Sequence, residues 1–156
     1  MRIDVRLALR PALSLLALVT LLFAAFAPAH AAPDSGPNGF WLTQAGDAKV
    51  QVSRCGGGIC GKVVWLRDPI DNTTGKPQAD NKNPDPSLRN RPIIGVQLFL
   101  DMQQSGPNSW SGRIYNADDG QSYASTVTQV DAGRLEVRGC VGALCGTEMW
   151  TRTSGR

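Results

Sequence analysis

Histidine is almost missing: the single copy in these 156 residues is His30, near the amino terminus. Serine triads with a histidine base, cysteine–histidine pairs and histidine metal sites need that residue, so the chain beyond position 30 can build none of them. Glutamate is nearly as scarce, represented by Glu136 and Glu148 alone. Acid–base catalysis would therefore have to rest on Asp, Tyr, Lys or Arg. After the amino-terminal stretch no second long apolar run follows, which argues against stable membrane insertion. Strong charge of either sign is missing too. The whole-chain value of +3 falls to about +1 once the first 31 residues, with three Arg and one Asp, are set aside. That is not the charge of a nucleic-acid binder.

What is present begins with an expected secretory leader over residues 1–31. Arg2, Arg6 and Arg10 give it a basic start, residues 13–26 an apolar core, and Ala29-His30-Ala31 a cleavage site of A-x-A type. Cleavage near Ala31 and Ala32 would deliver one domain of about 125 residues to the periplasm or the exterior, without a lipid-attachment cysteine.

The cysteines occur in two matched units. Cys55-Gly-Gly-Gly-Ile-Cys60-Gly61 is followed by Trp65, and Cys140-Val-Gly-Ala-Leu-Cys145-Gly146 is followed by Trp150. Small residues between the cysteines suit a tight hairpin reversal, and directly opposed residues of an antiparallel pair lie within the reach of a disulfide. Four cysteines allow three pairings. The spacing favours local bridges, Cys55 to Cys60 and Cys140 to Cys145, over a zinc site, whose knuckles normally hold two residues between ligands. An oxidising compartment is what such bridges require, in agreement with the leader.

Extended segments are expected at 39–44, 49–55, 61–66, 93–102, 110–116, 122–130, 134–139 and 147–152. Turn signals such as Asp118-Asp119-Gly120 and Asp131-Ala132-Gly133 separate them. Along 110–114 and 135–138 apolar or small residues alternate with polar ones, so one face is dry and the other wet. The pattern is all-β. A meander of about eight strands closes into a small antiparallel up-and-down barrel, with an open sandwich as the alternative.

Residues 67–92 interrupt it with Asp, Asn and Pro and almost nothing apolar, an unusual length for a connection. The run Asp80-Asn81-Lys82-Asn83-Pro84-Asp85 raises a calcium reading, but it has neither the spacing nor the terminal glutamate of an EF-hand loop, and no metal or cofactor is expected. A solvated lid or an interaction surface fits better.

In order along the chain stand Gly39-x-Trp41, Cys60-Gly61-Lys62-Val63-Val64-Trp65 and Asp80-x-x-Asn83-Pro84. Leu88-Arg89-x-Arg91-Pro92-x-x-Gly95, Trp110-x-Gly112-x-Ile114-Tyr115-Asn116 and Asp119-Gly120-x-x-Tyr123 follow, then Arg138-Gly139 and Trp150-Thr151-Arg152. This succession resembles the exported bacterial family called domain of unknown function 2147, over essentially all of the chain beyond the leader. The resemblance implies a lipocalin-like, calycin-type barrel and brings no catalytic signature with it.

Trp41, Trp65, Trp110 and Trp150 either wall a ligand cavity or plug the barrel, with core packing the simpler role and Trp41 and Trp150 neighbours if the end strands meet. Arg138 and Arg152 flank that closure, where they could stack over an indole, tie down a barrel end or anchor an acidic ligand. Arg89 and Arg91 with Asp80 and Asn83 form either a polar mouth or, more simply, salt bridges that order the loop. Tyr115, Asp119 and Tyr123 read as a turn with its packing aromatics. The expected function is non-catalytic binding of a small hydrophobic or amphipathic molecule with a polar or anionic end. A module docking on a protein or the envelope through 67–92 is the alternative, and an enzyme using Asp and Arg comes third.

Overall fold

Turn chemistry decides the topology. Gly56 and Gly57, both at positive φ, reverse the chain in two residues, and Gly142 at φ 55° opens a second such reversal. The computed structural model describes residues 36–155, and the expected leader lies outside them. Eight antiparallel strands pair in sequence order and the last closes on the first. They are β1 (Gly39–Leu42), β2 (Ala48–Cys55), β3 (Gly58–Leu66), β4 (Phe99–Gly106), β5 (Ser109–Asn116), β6 (Gln121–Asp131), β7 (Arg134–Val141) and β8 (Leu144–Thr153). The closed barrel, not the sandwich, is the architecture. Among the described residues no helix is long and apolar enough to cross a membrane.

Both local disulfides form, Cys55–Cys60 and Cys140–Cys145. The strands run through the cysteines, so the reversals are shorter than the four-residue gaps suggest. Cys140 stands opposite Cys145, with Cα atoms 4.1 Å apart. Cys55 instead faces Gly58 while Cys60 faces Ser53, which makes the first bridge a diagonal with Cα atoms 5.7 Å apart.

Inward positions of all eight strands converge in a core of Trp41, Val50, Val52, Ile59, Phe99, Met102, Trp110, Val127, Leu135, Val137 and Trp150. Phe99 and Trp150 stack with ring centroids 5.7 Å apart. Trp65 does not join them. Lys49 pairs with Trp65 and Val50 with Val63, so Val64 is an extra residue, and this bulge turns Trp65 to the outer face. There it is 38% exposed, with the Lys49 ammonium 5.2 Å from its ring centre.

The fourth strand is displaced from the expected 93–102. Pro92 and Gly95 at φ 105° keep residues 93–98 out of a regular ladder, although the Val96 carbonyl still accepts from the Val63 N–H and the Leu98 N–H donates to the Gly61 carbonyl. Within β4 the chain bulges at Asp101, at φ 54°, and carries on to Gly106. A side chain at Gly112 on β5 would meet the carbonyls of Leu100 and Asp101 at 2.7 Å, which explains the glycine.

Arg152 closes the barrel. Its guanidinium lies 4.3 Å from the Trp41 ring centre and donates to the carbonyls of Ala132, Asn38 and Gly36. Reduction of the disulfides is expected to lower stability by only about 2 kcal/mol per bridge, since each closes a very short loop. Far-UV circular dichroism should stay that of a β protein in reductant; its loss would contradict this order of importance.

Candidate functional site

The two ends of the barrel differ. The turns at 56–57, 107–108 and 132–133 gather at one end with the lead segment 36–38, while the connections at 43–47, 67–98, 117–120 and 142–143 surround the other. Trp41 and Trp110 fill the first end from inside. Beyond Trp150, toward the second end, lies a cavity of about 1220 Å³ that opens to solvent. Val63, Leu98, Ile114 and Val137 give it apolar walls, Trp150 a floor, and Tyr123 and Glu148 inward polar groups. The Trp150 indole N–H donates to Glu148 Oε2 at 2.8 Å. A recess of about 540 Å³ at the plugged end is built mainly from glycine and turn residues around Trp110.

The long loop forms one side of the cavity through Gln78, Ala79, Asn81, Lys82 and Ile93. It is held by a single buried acid. Asp80 has no accessible surface; its Oδ1 accepts from the Tyr115 hydroxyl at 2.6 Å, and its Oδ2 from the Asn83 amide at 2.8 Å and from Arg91 at 2.7 and 2.9 Å. Asn83 also donates to the Tyr115 oxygen at 3.0 Å. Burial pushes the Asp80 carboxyl up, yet the hydrogen bonds from Tyr115, Asn83 and Arg91, with the Arg91 charge, together hold it below the usual carboxylate value. Burial, and then the same carboxylate, push the Tyr115 phenol upward. Both Asp80 oxygens face donors, the opposite of what a calcium ion needs. Beside this node the loop packs on the β5–β6 turn, where Lys82 donates to the Asp118 carbonyl and any side chain at Gly120 would meet the Lys82 carbonyl at 1.9 Å. Gly120 is also at φ 74°.

The residues singled out from the sequence therefore separate. Trp150 and Tyr123 reach the cavity, and Tyr115 touches only its rim with its hydroxyl committed to Asp80. Trp41 and Trp110 are plug, and Trp65 is outside. Arg89 donates to the Asn83 carbonyl at 2.7 Å and Arg91 is paired with Asp80, so neither they nor Asp80 and Asn83 form a polar mouth; they fix the loop. Arg138 does not flank the closure. Alternation with Val137 and Gly139 puts it on the exposed outer face of β7, and only Arg152 performs that task. Tyr123 donates to Asp119 within the Asp-Asp-Gly turn, whose carboxyl is lowered chiefly by that bond. Glu148 was not evident from residue type. Its position two residues before Trp150, on the same face of β8, was the signal.

A closed eight-stranded up-and-down barrel, plugged at one end and hollow at the other, is a lipocalin-like protein. Its fold is similar to that of a solved structure described as protein HP1028 from the human pathogen Helicobacter pylori, belonging to the lipocalin family. The likeness has a TM-score of 0.64 and 28% sequence identity, and covers 75% of this chain and 82% of that one. The chain belongs to the bacterial family DUF2147, described as an uncharacterized protein conserved in bacteria, whose model matches residues 39–152. No curated protein matches it.

Replacing Asp80 tests the lock. Asp80→Asn is expected to cost about 2 kcal/mol at neutral pH, because Arg91 and the Tyr115 hydroxyl lose a charged acceptor. The folded-state value is depressed, so the stabilisation from ionised Asp80 is present above the unfolded value near pH 4 and disappears as pH falls through the folded value. Urea titrations from pH 7 down to about pH 2 should show a shallower acid decline in the variant. Equal slopes would contradict the assignment.

Proposed function

We propose that this is an exported carrier or sensor of a small hydrophobic or amphipathic molecule, held without chemical conversion in the cavity at the hollow end. The cavity itself carries the reading: about 1220 Å³ of space with apolar walls and a few inward polar groups is of the size and character of small-molecule sites. The fold supports it by analogy, since small barrels of this kind have room for one ligand. Two disulfides and membership of a bacterial family are compatible with export, and the leader expected over residues 1–31 supplies the route.

The long loop fits this reading better than a free docking role, because its inner side walls the cavity and Asp80 holds it there. An enzymatic role through Asp and Arg has little geometric support. Asp80 is saturated by donors, and Arg89 and Arg91 are engaged with the loop itself.

Native mass spectrometry of the protein isolated from its own compartment is the test. The expected species lacks the first 31 residues, is four hydrogens lighter than its reduced form and releases a small molecule only on denaturation. A chain retaining Met1 would contradict export. An unliganded mass under mild conditions, with no apolar compound taken up on addition, would contradict the binding role.

A further inference from the structure

The inner wall of the cavity contains a slot without side chains. Ser125 on β6 pairs with Gly139 on β7, and Gly139 pairs with Gly146 on β8, so these three inward positions form a row across adjacent strands. A Cβ at Gly146 would meet nothing within 4 Å, and one at Gly139 would touch only Ile114 and Tyr123, at 3.6 and 3.7 Å. The pair leaves open space where neighbouring rows carry Ile114 and Tyr123 on one side and Val127 and Val137 on the other. At the β6 end of the row Ser125 is 5% exposed and closed off from the cavity, which only the two glycines reach. One inward position below Gly146, toward Trp150, stands Glu148.

Charge selects the occupant. The cations that line the cavity are Arg67 and Lys82, both at its mouth; Arg67 lies 3.7 Å from Asp68, and Lys82 donates to the Asp118 carbonyl. The inner wall holds the Glu148 carboxylate and no cation. A ligand carboxylate would therefore meet a like charge there. This reverses the anionic end suggested by Arg89 and Arg91, which are engaged outside the cavity.

Building on the binding role proposed above, we infer that the Gly139–Gly146 slot seats the polar end of the ligand, and that this end is a hydrogen-bond-donating cation of the amine class. Glu148 is its counter-ion. The apolar body extends from the slot toward Leu98, Ile93, Val141 and Leu144. Val141 and Leu144, 61% and 81% exposed at the stapled tip of the β7–β8 hairpin, become covered by it.

The experiment uses N-phenyl-1-naphthylamine, a neutral fluorescent probe of apolar cavities, displaced in turn by decylamine, decanol and decanoate. Decylamine is expected to displace it at a concentration about tenfold below that of decanoate, the size of one hydrogen-bonded charge interaction. Glu148→Gln should abolish that preference. Equal displacement by amine and acid, or a preference that survives in Glu148→Gln, overturns this inference and leaves cavity binding intact. Failure of the wild-type protein to take up the probe at all overturns the binding role together with it.

Discussion

The Arg152 guanidinium, stacked on Trp41 and donating to the carbonyls of Gly36, Asn38 and Ala132, joins the first strand, the last strand and the β6–β7 turn at one point. β1 is only four residues long and meets β8 through three register pairs, a thin seam for a closed barrel. One planar side chain with donors on several edges can satisfy backbone carbonyls in three directions while its face covers an indole, which a lysine could not do. Closure at this seam removes the free strand edges and puts Trp41 fully inside. Everything above it, including the hollow end, presupposes a barrel already shut from below.

A second lock gives the molecule its asymmetry. Asp80 draws Tyr115, Asn83 and Arg91 together and fixes a long polar loop against the outside of β5. The loop spans the seam between β3 and β4, whose regular pairing is limited to Gly58 with Gln103 and Ile59 with Met102. It thereby repairs the weakest part of the wall and at the same time borders the cavity. A buried carboxylate is a demanding choice for such a task, since every donor must be in place, but it makes the loop position specific. One end of the barrel is thus packed solid and the other stays open.

Features set by local chemistry were legible in the sequence. Glycine-rich reversals, cysteines five apart and alternation along β5 and β7 pointed to hairpins, two bridges and a barrel because each depends on a few neighbouring residues. Features set by an inserted residue were not. The bulge at Val64 reverses the side-chain phase and sends Trp65 outward, and the bulge at Asp101 carries β4 through polar residues beyond the expected end at 102. Asp80, Asn83 and Arg91 stood out as a group, yet the partner that defines their role, Tyr115, is 35 residues away from Asp80 and on another strand. The slot was hidden for a further reason: Gly139 and Gly146 look like ordinary strand glycines until the register sets them side by side.

The central claim is that a ligand enters above Trp150 and nowhere else. The four tryptophans stand in four different places, so their indole N–H resonances report on it directly when the isotope-labelled protein is titrated with decanol. The account predicts that the Trp150 signal, whose N–H is bonded to Glu148, moves with saturation while those of Trp41, Trp65 and Trp110 stay fixed. Movement of Trp65 alone, or of Trp110 without Trp150, would place binding on the outer face or at the plugged end and contradict it.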